Sequence, residues 1–88
     1  EISSEGRRLL SINKNKEALK LYSFNAKKFP EEIFMIHVDF AKVYTALGNK
    51  KKAIKHWEIA MKNVSGRTDR QYFVARYESA LKKLKENK

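Results

Sequence analysis

The sequence predicts an all-α fold of five helices, and three observations lead there. The chain of 88 residues holds three Gly and one Pro, too few turn-formers for many short strands, and it is rich in Ala, Leu, Lys and Glu, which favour helices. Its apolar residues recur at steps of three and four rather than two. Glu17-Ala18-Leu19-Lys20-Leu21-Tyr22 and Lys52-Ala53-Ile54-Lys55-His56-Trp57 share a small-apolar-x-x-aromatic pattern 35 residues apart. A helical period in the thirties marks stacked helix-turn-helix units that bury their apolar faces only against neighbours.

The first helix is expected over 2–12, with Ile2, Gly6, Leu9 and Ile12 on one stripe and Ser3 or Ser4 as N-cap. Asn13-Lys14-Asn15 reads as a turn. Asn15 then caps a second helix over about 16–28, whose apolar face is Ala18, Leu19, Tyr22, Ala26 and Phe29. Phe29-Pro30 ends it, and Pro30 suits the first turn of a third helix, where Glu31 and Glu32 complement the N-terminal dipole.

That third helix is expected to run to Leu47, with Val38 or Phe40, Ala41, Tyr44 and Leu47 at helical spacing. Gly48 supplies the left-handed residue that stops it. The fourth helix, about 50–63, carries Ala53, Ile54, Trp57, Ala60 and Met61 on one face and Lys51, Lys52, Lys55 and Lys62 largely on others. Gly66 follows as its terminator. Thr68-Asp69-Arg70-Gln71 has the T-x-x-Q form of a capping box and opens a last helix, over about 68–87, with Phe73, Tyr77, Ala80, Leu81 and Leu84 inward.

These residues resemble the tetratricopeptide repeat family. Phe40-Ala41-x-x-Tyr44-x-x-x-Gly48 followed by Ala53-Ile54-x-x-Trp57-x-x-Ala60 is similar to the family's large-small-x-x-Tyr, turn Gly, small-aliphatic-x-x-aromatic-x-x-Ala pattern. The first hairpin shares Gly6, Ala18-Leu19, Tyr22 and the closing Pro30. It departs at Glu5, where a large apolar residue is usual, at Asn25, where Ala is usual, and at Asn13, where Gly is usual. The resemblance implies one domain over 1–88, a right-handed superhelix of two hairpins (about 2–29 and 30–63) closed by a capping helix. Small residues at Gly6, Ala18, Ala41, Ala53 and Ala60 would let helix axes approach to roughly 8–10 Å, with Tyr22, Tyr44 and Trp57 as wedges in the core.

The residue inventory predicts a non-catalytic chain. There is no cysteine, hence no thiolate nucleophile, disulfide or thiol metal site, and no Gly-rich phosphate loop. His37 and His56 lie nineteen residues apart in different helices, without acidic or thiol partners at metal spacing. His37 is expected at a partly covered helix start and His56 beside Trp57 on a polar face; no cofactor or metal is expected. The longest apolar run, Ile33-Phe34-Met35-Ile36, is far below the roughly 18 residues of a spanning helix, and no signal-peptide pattern is visible. Because the sequence starts at Glu1 without Met, it is expected to be a processed chain or a piece of a larger bacterial-type protein.

Net charge is +10, and it is uneven. Residues 1–41 carry seven basic and six acidic side chains, residues 42–88 thirteen and four, so the second half supplies a field that attracts acidic peptides, nucleic acid or anionic lipid. The family resemblance implies a concave face made by the first helix of each hairpin. Registering Gly6 on Ala41 puts Arg7 and Lys42 at equivalent points there, with Leu10 and Thr45 a turn later and Val38 a turn before Lys42. Aligning Phe73 and Tyr77 with Phe40 and Tyr44 puts Ala75 in the row and Arg76 on the rim; a one-residue shift puts Arg76 in it.

The expected partner is therefore a protein or peptide, bound in the groove as an extended acidic segment or chain terminus, with Arg7 as a planar bidentate donor and Lys42 as a point charge. The family's carboxylate clamp of Asn and Lys is absent, since Ser3, Arg7, Val38 and Asp39 occupy the nearby points. The alternative is a basic module for nucleic acid or an anionic surface, using Lys50, Lys51, Lys52, Lys55, Lys62, Arg67, Arg70, Lys82, Lys83 and Lys85. Against it, the aromatics are assigned to the core, leaving no stacking platform. Homodimerisation through the open edge of the first hairpin or the last helix is a third expectation.

Overall fold

The structure, a computed structural model, describes residues 2–65 and 67–86, with residues 2–4 described by backbone alone. Its five helices are α1 (Ile2–Ser11), α2 (Asn15–Lys28), α3 (Ile33–Ala46), α4 (Lys50–Lys62) and α5 (Arg70–Glu86). The protein is all-α, with no strand among the described residues. No helix there is long and apolar enough to cross a membrane. Ser3 and Ser4, expected as N-cap, lie inside α1, which already runs from Ile2, so neither occupies a cap position; the Gly66 terminator falls outside what is described.

α1 packs on α2 and α3 on α4, the latter being the most extensive pairing, while α2 also meets α3, α5 rests on α4, and α1 touches α3. Both hairpins turn in the same way. Asn13 (φ 63°) and Gly48 (φ 80°) are left-handed. After α1, the Lys14 N–H donates to Leu9 O (2.8 Å) and the Asn13 N–H to Leu10 O (3.1 Å); after α3, the Asn49 N–H donates to Tyr44 O (2.9 Å) and the Gly48 N–H to Thr45 O (3.1 Å). These are two copies of one Schellman closure, 35 residues apart. Asn is the best non-Gly residue for a left-handed position, so Asn13 preserves the turn.

The same offset of 35 relates the packing positions. Gly6 and Ala41, Ala18 and Ala53, and Tyr22 and Trp57 are all buried. A Cβ on Gly6 would overlap the Tyr22 ring, so glycine sets the α1–α2 separation. Ile12 and Leu47, expected on apolar stripes, are the residues just past α1 and α3 and are exposed, as is Phe29 just past α2, because the chain turns away from the core there.

Helix starts depart from expectation in three places. Asn15 lies inside α2, which is preceded by Lys14 with no side-chain cap; the Asn15 Nδ2 instead reaches Ala46 O at 3.4 Å, tying α2 to the end of α3. Pro30 is not in α3: the Glu32 N–H donates to Phe29 O (3.1 Å), and this tight turn delays the helix to Ile33. The Thr68 capping box does not form, because α5 starts at Arg70 and so puts Asp69 rather than Thr68 in the position before the helix, where Arg67 holds the Asp69 carboxylate at 2.8 and 3.0 Å. Asn49 does cap α4 with its side chain, accepting from the Lys52 N–H at 3.2 Å.

Two apolar clusters result. Ala18, Tyr22 and Val43 form one, bordered by Leu9, Leu10, Leu19, Phe40 and Tyr44. Phe34, Val38, Ala41, Trp57, Ala60 and Val64 form the other, which α5 covers with Phe73, Tyr77, Ala80 and Leu84. Arg67 seals its edge, its guanidinium lying 4.4 Å from the Phe34 ring centre and 5.7 Å from that of Phe73. Phe34 and Phe73 meet edge to face at 4.9 Å. Arg67 is thus a structural clamp of the α4–α5 connection rather than a member of the basic surface.

Candidate functional site

Asp39 and Lys42 are three residues apart on α3 and therefore share a side of it. Asp39 is buried, and burial pushes its carboxyl up to about 6 against the pull of Lys42 and Arg7. Burial also pushes the Lys42 ammonium down, followed by the like charge of Arg76, while Asp39 acts in the opposite direction. Burial and the Asp39 charge raise Tyr22 to about 12, with Arg7 opposing. Arg7 of α1 and Lys42 of α3 thus act on the buried Asp39 carboxyl, and Arg76 of α5 acts in turn on Lys42.

Arg76 is positioned by its own helix. Its Nη1 donates to the Tyr72 hydroxyl at 2.9 Å, and its guanidinium lies 5.6 Å from the centre of that ring. Tyr72 is 57% exposed, an aromatic on the open face that periodicity did not single out, because it lies off the Phe73, Tyr77, Ala80 and Leu84 stripe. Arg76 also lines a cleft of about 530 Å³ with Thr45, Gly48, Lys50, Ser79, Ala80, Lys83 and Leu84. Ala75 does not line it, so of the two registers considered for α5 the one-residue shift describes the cleft.

The other expected groove residues divide. Thr45 lines the cleft, its Oγ1 donating to Ala41 O at 2.7 Å. Leu10 is half-buried against the Tyr22 and Val43 cluster. Val38, expected on the groove, is fully buried among Phe34, Trp57 and Ala60; its place on α3 turns it toward the core, and it offers a ligand no surface.

A second assembly joins α3 and α4. His37 and His56 approach with Nδ1 atoms 2.8 Å apart and ring planes within 19°. Their ring centres are 5.1 Å apart, a gap consistent with the two nitrogens facing each other along the line of centres, edge to edge. One imidazole donates and the other accepts, so both are satisfied only as a neutral pair or with a single shared charge. Tyr44 stacks on His56 (5.5 Å, 9°), Phe40 lies 5.1 Å away, and the Lys52 ammonium sits 5.2 Å from the Tyr44 ring centre. Burial lowers His37, and burial, His37, Lys55 and Lys52 lower His56.

Sequence reading placed these histidines apart. The signal that unites them is hairpin symmetry: they flank Gly48 at eleven and eight residues, and antiparallel helices bring such positions together. Among the described residues no group of three or more His, Cys, Asp or Glu is placed to hold a metal ion.

No family model matches this sequence, and neither a curated protein nor a solved structure shows significant similarity to it. The candidate site therefore rests on its own geometry.

Proposed function

We propose that this chain is a non-catalytic, tetratricopeptide-like interaction module that holds an extended acidic segment of another protein on the face contributed by α1, α3 and α5. The observation that carries the reading is the charge coupling of Arg7, Lys42 and Arg76 from three helices: Arg7 and Lys42 act on the buried acid Asp39, and Arg7 and Arg76 both act on Lys42. The repeat reading is supported by the offset of 35 residues shared by the two Schellman turns, the small buried positions and the aromatic wedges. An extended ligand lying across three helix faces meets several cations in succession, and charge complementarity of this kind sets association rate and specificity.

The test is fluorescence anisotropy with a labelled Glu-rich peptide and a scrambled, neutral control. The Glu-rich peptide is expected to bind selectively, and Lys42→Glu or Arg76→Glu to weaken it about tenfold, a cost of about 1.4 kcal/mol. Equal binding of both peptides, or charge reversals without effect, would overturn the reading. Tighter binding to unrelated DNA duplexes, with a steep loss in salt, would replace it with the nucleic-acid alternative.

A further inference from the structure

We propose that the cleft between the α3–α4 corner and α5 is a subsite for a phosphorylated side chain in the bound segment. This rests on the acidic-segment reading above and deepens it. Lys50, Arg76 and Lys83 all line the cleft, and no Asp or Glu does, so the charge there is three positive with nothing of opposite sign in the wall. A carboxylate brings one negative charge and leaves most of that field unanswered. A phosphoryl group brings about 1.5 to 2 negative charges and three strong acceptor oxygens at neutral pH.

The donors suit that group. Arg76 gives one Nη1 hydrogen to Tyr72 and keeps the rest of a planar fork suited to phosphate oxygens. Thr45 has directed its hydroxyl proton to Ala41 O, so Ser79 is the hydroxyl donor of the wall. Lys50 is the first residue of α4, whose N-terminal dipole adds positive potential. A volume of about 530 Å³ admits the phosphoryl group together with the side chain that carries it. Ala80 and Leu84 supply the apolar wall for the stem. Because Arg76 belongs both to this cleft and to the Arg7 and Lys42 group, the subsite is continuous with the groove.

Two labelled peptides test it on the full chain: a Glu-rich sequence, and the same sequence with one central Glu replaced by phosphoserine. The phosphorylated peptide is expected to bind about tenfold more tightly. The double variant Lys50→Met, Lys83→Met, its fold checked by circular dichroism, is expected to bring it down to the affinity of the Glu peptide. Equal affinities on the wild-type chain would overturn the subsite while leaving the groove intact, as would a preference that survives the double variant. Failure of both peptides to bind would overturn the groove itself. Displacement of the phosphopeptide by duplex DNA at lower concentration than by the Glu peptide would reassign the cleft to nucleic-acid phosphates.

Discussion

Gly6 and Asn25 show how single positions distinguish the two hairpins. At Gly6 any side chain enters the Tyr22 ring, and that ring is held by the core around it, so Gly6→Val is expected to cost about 1–3 kcal/mol as overpacking. Asn25 stands where the second hairpin has Ala60, and its Oδ1 is buried with no hydrogen-bond partner; Asn25→Ala should stabilise by about 1 kcal/mol or more, through a removed desolvation cost and better helix propensity. Urea denaturation checks both. Asp39 gives a pH signature. Its folded pKa of about 6 lies above the ordinary 3.8, so the folded state binds the extra proton between those values, and this contribution to stability is lost as pH rises through about 6. Asp39→Asn should therefore stabilise the protein near neutral pH by on the order of 2–3 kcal/mol and leave it unchanged below the ordinary carboxylate range. Equal stability of the two proteins at neutral pH would contradict the burial of a charged group there. The sequence exposed Gly6 and the departure at Asn25, because both break a repeat. Burial of Asp39 was not legible, since α3 alone does not say which of its sides α1 and α2 will cover.

Between helices, the His37–His56 hydrogen bond joins α3 to α4, and its sign is opposite to that of Asp39. Both imidazoles have folded values below the ordinary one, so the unfolded state binds more protons in that window. Their stabilisation is present above pH 6.5 and is lost as pH falls through the lowered values. NMR titration is expected to show both histidines titrating below 6.5, and nitrogen spectra near neutral pH to show one Nδ1–H and one Nε2–H tautomer. A histidine titrating above 6.5 would contradict the packed pair. The five elements were legible because helical period, Gly48 and the matched repeats all agree. Their starts were less so: Asn15, Pro30 and Thr68 each carry a good local start signal, yet the Ala46 carbonyl takes the Asn15 side chain, the Glu32–Phe29 turn delays α3 past Pro30, and α5 starts at Arg70, one residue too late for Thr68 to cap it. Local preference is weak when a tertiary or loop partner competes.

Across the whole molecule, α5 covers the cluster of Phe34, Val38 and Trp57, whereas Phe40 and Tyr44 belong mainly to the other cluster. Removing residues 68–88 should expose Phe34 and Trp57, lower the melting temperature and raise dye binding; Phe73→Ala, in a partly buried site, should cost about 2–3 kcal/mol, at or below the low end for a buried Phe. A shortened chain that melts cooperatively at the same temperature would contradict the role of α5 as a cover. The candidate face was legible in part. A register of 35 residues put Arg7, Lys42 and Thr45 on a common face, but it could not choose the α5 register or show that Val38 turns inward, because these depend on how α5 crosses α3 and α4. The most direct measurement is amide chemical-shift mapping on the full chain during titration with the Glu-rich peptide. Saturable shifts confined to Arg7, Lys42, Thr45, Arg76 and their neighbours on α1, α3 and α5 are the expected result. Shifts centred on Lys51, Lys55 and Lys62 of α4, or none at all, would contradict the account.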